Sequence, residues 1–197
     1  MFLLKQYPEY IFNFEGAVKY AWMKEYYPAQ YEEMKKFIES GRWHISGASW
    51  DATDTLVPSI ESAIRNIMLG QNYYRKEFGV ESTDIFLPDC FGFGWTLPAI
   101  ASHCGLIGFS SQKLQWRNKP FYGNDKYPFT VGLWQGIDGS TIMMTHGYDY
   151  NQRFEDGDLS ENKDLLELTG HSPLHMVYRY YGTGDIGGSP TLDLYVP

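Results

Sequence analysis

The run Leu87-Pro88-Asp89-Cys90-Phe91-Gly92-Phe93-Gly94 sets one carboxylate between a short apolar stretch, Thr83 to Leu87, and a glycine-rich turn. In parallel α/β sheets ligands bind at the carboxyl ends of the strands, so Asp89 sits where a nucleophile or a metal ligand works. Pro88, Phe91, Gly92 and Gly94 would fix the backbone around it, which either role needs. The alternative is that Asp89 caps the turn or helix that follows. A second polar loop, Trp50-Asp51-Ala52-Thr53-Asp54-Thr55, brings two more carboxylates to the end of an earlier strand, beside an indole. Paired acids around a pocket are the minimal kit for glycoside hydrolysis: one attacks or stabilises the sugar cation and the other moves protons. Acids in such a loop are otherwise simply solvated. His146, in Thr145-His146-Gly147-Tyr148, also follows an apolar run and could contact a substrate, a structural histidine being the alternative.

Other spacings carry less. Gly182-Thr183-Gly184-Asp185-Ile186-Gly187 matches the Gly-x-Gly-x-x-Gly dinucleotide pattern, but Ser189-Pro190 follows where a helix should open. A nucleotide-binding enzyme is the third and weakest reading on that ground. His171 and His175 have zinc-like spacing, yet Pro173 between them breaks a helix and no Cys or acid completes a set. Cys90, His103 and Cys104 form no recognisable ligand pattern.

The elements that must position these residues follow from periodicity. Val18, Ala21, Trp22, Met34, Phe37 and Ile38 fall at helical spacing, interrupted at Pro28 and stopped at Gly41, which predicts two short helices. Arg42 to Val57 loses that period and reads as a strand running into the polar loop. Ser59 is a natural N-cap with Glu61 in the first turn, and Ile60, Ile64, Ile67, Met68 and Phe78 predict a long helix ending at Gly79. Thr83 to Leu87 predicts a strand, Thr96-Leu97-Pro98 to His103 a short helix, and Leu106 to Ser110 a second buried strand, together a β-α-β unit. Ile137-Asp138-Gly139-Ser140 between apolar runs predicts a hairpin. Leu165, Leu166 and Leu168 suggest a short surface helix in the polar stretch 155–172, where any flexible segment is expected. Strands alternating with helices argue for an α/β fold with mostly parallel strands.

Composition sets outer limits. The chain has 197 residues, 43% of them hydrophobic, and a net charge of −8. That is enough apolar content for a core, so intrinsic disorder is excluded as the main reading, and the length fits one domain or part of a larger one. An acidic chain without a Lys/Arg stripe argues against nucleic acid as partner. No stretch approaches the length of a membrane span, and Met1 to Lys5 is too short for a signal h-region, which leaves a cytoplasmic or periplasmic location open. Two cysteines make no disulfide framework. The 16 Tyr, 12 Phe and 6 Trp residues either fill the core or, where they stand beside Gly, Asp and Asn, offer platforms to a ligand such as a sugar.

Several motifs occur together in one order: Tyr7-Pro8-Glu9-Tyr10, Lys24-Glu25-Tyr26-Tyr27-Pro28, Gly41-Arg42-Trp43, Pro58-Ser59-x-Glu61-Ser62, Leu87-Pro88-Asp89-Cys90-Phe91-Gly92, Gln112-Lys113-Leu114-Gln115-Trp116, Gly136-Ile137-Asp138-Gly139-Ser140 and Gly184-Asp185-Ile186-Gly187-Gly188-Ser189-Pro190-Thr191. By these the chain resembles the N-terminal catalytic domain of glycoside hydrolase family 38 α-mannosidases, in its bacterial branch. The resemblance implies a retaining mechanism, a distorted (β/α)7 barrel, and a zinc ion, or another divalent metal, that binds two mannose hydroxyls. It carries Asp89 over as both nucleophile and zinc ligand. It also places Trp50, Asp51 and Asp54 in the sugar pocket, and α-mannoside glycans become the expected partners. The family's first zinc motif, a His-x-Asp, belongs before Tyr7, while its last zinc ligand and its general acid/base belong beyond the Gly-rich segment. Three of the four ligands are therefore expected outside this chain. The chain is accordingly expected to be the central part of the catalytic domain, inactive by itself and with open strand edges. The competing reading is a non-catalytic carbohydrate-binding remnant, whose sugar affinity would not respond to a chelator.

Overall fold

The longest helix shows how local signals and packing combine. The computed structural model describes residues 1–115, 130–146, 159–178 and 180. In chain order these form α1 (Phe2–Gln6), β1 (Phe12–Glu15), α2 (Ala17–Tyr26), α3 (Pro28–Glu39), β2 (Trp43–Ser46), α4 (Ile60–Phe78), β3 (Asp84–Phe86), α5 (Leu97–His103), β4 (Gly108–Ser111), β5 (Val131–Gln135), β6 (Thr141–His146) and α6 (Lys163–His171). Single 3-10 turns follow β4 at Lys113–Gln115 and precede α6 at Leu159–Glu161. In α4 the Ser59 hydroxyl accepts from the Ser62 amide, satisfying one of the orphan donors of the first turn, and Gly79 closes the helix in the left-handed region at φ 68°. Pro28 opens α3 as its first residue, where a missing N–H costs nothing. The break predicted there is thus a boundary between two helices.

The strands form two sheets. β1 and β2 pair in parallel, Phe12 opposite Trp43 through Glu15 opposite Ser46. The second sheet has the order β3-β4-β6-β5. In it β3, β4 and β6 are parallel, and β5 returns antiparallel to β6 through the Asp138-Gly139 turn. The predicted β-α-β unit is β3-α5-β4, with Ile85 opposite Phe109. Asp84 joins the two sheets: its carboxylate accepts from the Ser46 hydroxyl (2.7 Å), the Gly47 amide (3.0 Å) and the Ser82 hydroxyl (2.9 Å), and its backbone carbonyl accepts from the Ala48 amide.

Two apolar clusters hold these layers together. One gathers Tyr20, Tyr31, Met34, Trp43, Ile45 and Tyr74 between the first four helices and the β1–β2 pair. Its rings meet edge to face, Tyr20 with Tyr74 at 5.8 Å and with Trp43 at 6.4 Å. Many of the aromatic residues are therefore core. The other cluster packs Ile85, Leu87, Ile100, Leu106, Phe109 and Ile142 between α5 and the larger sheet. Helix α4 bridges both. Gln71 donates to the Ser82 carbonyl and accepts from the Ser82 amide, and the Tyr74 hydroxyl donates to the Gly47 carbonyl.

Two elements have no counterpart in the sequence reading. α1 and β1 are too short for a periodic signal, and they are held from elsewhere: the Arg42 guanidinium donates to the carbonyls of Tyr7 and Tyr10 in the turn between them. The Gly182–Gly187 pattern and Trp116 lie outside the described residues. α6 lies where a short helix was read and ends at His171, before Pro173. No helix among the described residues is long and apolar enough to cross a membrane.

Candidate active site

The register of β3 and β4 decides what lies beside Asp89. Phe86 is opposite Ser110, the Leu87 amide donates to the Ser110 carbonyl, and the Gln112 amide donates to the Pro88 carbonyl. Asp89 is three residues past Phe86 and Lys113 three past Ser110, so both emerge at one level from the carboxyl ends of neighbouring parallel strands. The Lys113 ammonium lies 2.7 Å from Asp89 Oδ1, with side-chain exposures of 7% for the lysine and 61% for the aspartate. It also stands 4.6 Å from the centroid of the Phe91 ring, a cation–π contact. His146 ends β6, the next parallel strand, opposite Ser111; it is fully buried, and its amide donates to the Thr130 carbonyl.

The 50s loop is tied to the loop that carries Asp89. The Cys90 thiol donates to the Thr53 carbonyl (3.3 Å) and the Thr55 hydroxyl donates to the Gly92 carbonyl (2.8 Å). Burial pushes the Cys90 thiol pKa up, and the charges of Asp54 and Asp89 push it further, so both carboxylates act on one point. Asp54 Oδ1 accepts from the amides of Leu56 (2.7 Å) and Val57 (3.3 Å), which makes it the capping group of its own turn. Asp51 Oδ1 accepts from the Ala52 amide, and the Asp51 backbone is locked to the Asn66 side chain in both directions. Trp50 is half-buried with its ring edge-on to Tyr73 at 5.8 Å.

The structure thus ties Thr53 and Thr55, on either side of Asp54, to the loop that carries Asp89, while Trp50 and Asp51 are held against α4. Asp51 and Asp54 are exposed, and His146 is buried at the end of the second strand over. A cavity of about 240 Å³ opens between the 50s loop, α4 and α5, lined by Thr53, Asp54, Thr55, Ile67, Leu87 and Leu97. Asp89 is not among the residues lining it. Phe91 and Trp95, in the same loop as Asp89, are exposed. Lys113 is the residue that sequence reasoning passed over. It stood inside the Gln-Lys-Leu-Gln-Trp motif, directly after a strand, and only the parallel register reveals its partner.

Among the described residues no three His, Cys, Asp or Glu side chains assemble into a possible metal site. Asp89 offers one carboxylate, and its Oδ1 is held by an ammonium. These residues do not by themselves fit a zinc ion, which needs about four donors.

Comparison with known proteins adds the wider context. The family model for the glycosyl hydrolases family 38 N-terminal domain matches residues 1–193. Alpha-mannosidase G of Dictyostelium discoideum is 37% identical over 195 residues, covering 95% of this chain and 17% of that protein. Alpha-mannosidase 2C1 of Homo sapiens is 30% identical, covering 96% of this chain and 18% of that protein. The chain therefore spans less than a fifth of the length of these curated relatives. Among solved structures, an alpha-mannosidase from Enterococcus faecalis V583 superposes with a TM-score of 0.61 at 21% identity, over 74% of this chain and 16% of that one. That likeness concerns the fold: helices alternating with parallel strands. With the model matching nearly every residue, the chain belongs to glycosyl hydrolases family 38, in its N-terminal domain.

Proposed function

We propose that this chain is the central part of the catalytic domain of a retaining α-mannosidase that removes terminal α-mannosyl residues from glycans. Asp89 is its nucleophile. In the first step a carboxylate oxygen of Asp89 attacks the anomeric carbon of mannose while the bond to the leaving oxygen breaks. That oxygen takes a proton from a general acid expected outside this chain. In the second step water adds to the same carbon and gives its proton to the group that served as general acid, now deprotonated, while the bond to Asp89 breaks and Asp89 leaves as a carboxylate. Two inversions at one carbon retain its configuration.

The observation that carries this reading is the 61% exposed Asp89 carboxylate, anchored on its buried side by Lys113 at the carboxyl end of the adjoining strand. Trp50, Asp51 and Asp54 belong to the same reading as groups contacting the sugar, whereas the expectation of a sugar contact from His146 conflicts with its complete burial; the exposed Phe91 and Trp95 rings offer faces of the kind a pyranose stacks on. The larger architecture is then a distorted (β/α)7 barrel to which the two sheets contribute adjoining staves. A divalent metal, zinc in this reading, would polarise sugar hydroxyls. It would take Asp89 as one ligand and its other donors from outside the described residues.

Asp89→Asn in the whole protein tests the assignment. The amide keeps size and hydrogen-bonding reach but cannot form the ester, so turnover of an aryl α-mannoside falls by about 10³-fold or more with the melting temperature unchanged. Peptide mapping of enzyme quenched with an activated fluoromannoside should find the sugar mass on the Asp89 peptide. Turnover at the wild-type level in the Asn variant sinks the nucleophile assignment.

A further inference from the structure

We infer that Lys113 is a positioning residue for the nucleophile: its buried ammonium fixes the Asp89 carboxylate in the attacking orientation and holds a fixed positive charge beside it through both chemical steps. This rests on Asp89 being the nucleophile.

The geometry is unusual for an ordinary ion pair. Exposed lysine–carboxylate pairs are worth little because two long chains must be ordered in water. Here the lysine side chain is 7% exposed, so its ammonium cannot leave for solvent, and its entropy is already lost to packing. Its starting point is fixed as well. The Lys113 amide donates to the Ser111 hydroxyl (3.1 Å), which locks the turn just after β4, and the ammonium stands over the Phe91 ring. A buried cation needs such partners, since its desolvation is repaid only by close charges and π faces. The carboxylate is the opposite: 61% exposed and open to a ligand. The pair therefore has a rigid buried half and an accessible half, the arrangement expected when one group aims another.

The chemistry gives that charge something to do. During attack Asp89 must present one oxygen to the anomeric carbon along a defined line, and a misplacement of about 1 Å costs about 100-fold in rate. In the second step the carbon–oxygen bond to Asp89 breaks and the electron pair returns to the carboxylate. A positive charge 2.7 Å away, on a side chain that is itself buried, stabilises that returning charge. Lysine, a point charge on one oxygen, leaves the other carboxylate oxygen free to attack.

The test is kinetic and uses the whole protein. Lys113→Met, of similar length but neutral, should lower kcat for an aryl α-mannoside by about 100-fold with KM within about threefold, while circular dichroism and melting show a folded protein. Lys113→Arg should recover kcat to within about tenfold of wild type. In Lys113→Ala, added propylammonium should restore turnover in a saturable way, a response that a merely structural lysine does not give. Three results overturn the proposal: kcat within about threefold of wild type in Lys113→Met, no rescue of Lys113→Ala by the amine, or loss of the fold in Lys113→Met. If Asp89→Asn retains wild-type turnover, the nucleophile assignment itself fails, whatever the lysine variants do.

Discussion

Asp54 has two possible duties at the residue scale, and its geometry separates them. One carboxylate oxygen caps the turn at Leu56 and Val57, a role an amide oxygen performs equally well, since only an acceptor is needed. Contact with a sugar hydroxyl would use the negative charge, which an amide lacks. Asp54→Asn should therefore leave the melting temperature within about 1 °C while raising KM for an α-mannoside about tenfold, the loss of one charge-assisted hydrogen bond worth ~1.5 kcal/mol. An unchanged KM would leave Asp54 a turn residue only. What could be read in the sequence here follows from how local each signal is. Asp89 was legible because a carboxylate between an apolar run and a glycine-rich turn is a local pattern. Lys113 was not, because its meaning depends on a partner 24 positions away, brought close by strand register. Most of the aromatic residues were ambiguous for the opposite reason. Tyr20, Trp43 and Tyr74 look like ligand platforms by type, but their burial depends on four helices meeting over the β1–β2 pair.

Elements were legible wherever capping and period agreed. α4 carried an N-cap, an acidic first turn and a closing glycine, and these three signals are realised; of the apolar stripe, Ile60, Ile64 and Met68 are exposed, and the buried face runs instead through Ile67, Gly70, Gln71 and Tyr74. β1 had none: four residues, Phe12 to Glu15, with only partial burial and no turn signal. One glycine inside α4 was unreadable in sequence yet positions the 50s loop. A Cβ at Gly70 would lie 2.1 Å from the Ala48 carbonyl oxygen and 2.4 Å from the Ser49 carbonyl carbon. Glycine at that point lets the helix touch the backbone leaving β2, and the same segment runs into Trp50, whose amide donates to the Asn66 carbonyl on α4. Gly70→Ala must push helix and loop apart. The expected cost is about 3 kcal/mol, as for an overpacked core, against the modest gain alanine usually gives a helix. That corresponds to a fall in melting temperature of ~6–12 °C for a chain of this size, readable by calorimetry. A stabilised Gly70→Ala protein would mean that the contact between α4 and the loop is slack.

For the whole molecule the governing feature is the edge of the smaller sheet. Among the described residues β1 pairs on one side only, with β2; Ile11, which precedes it, is 59% exposed, and Phe14 within it is exposed as well. Such an edge is a template for another strand, and proteins usually blunt it with a lysine or cover it. The net charge of −8 opposes association between copies, and salt screens that repulsion within a Debye length. The 197-residue chain by itself should therefore self-associate, more strongly at 0.5 M than at 0.05 M salt, because the tenfold rise in ionic strength shortens the Debye length about threefold. Ile11→Lys places a charge on that flank at a site that contributes no core packing, so stability should stay within about 0.5 kcal/mol. Light scattering should then report a mass nearer that of one 22.8 kDa chain for the variant than for the parent. If the parent chain is monomeric at both salt concentrations, the edge is closed by its own geometry and the apolar flank needs no partner strand to cover it.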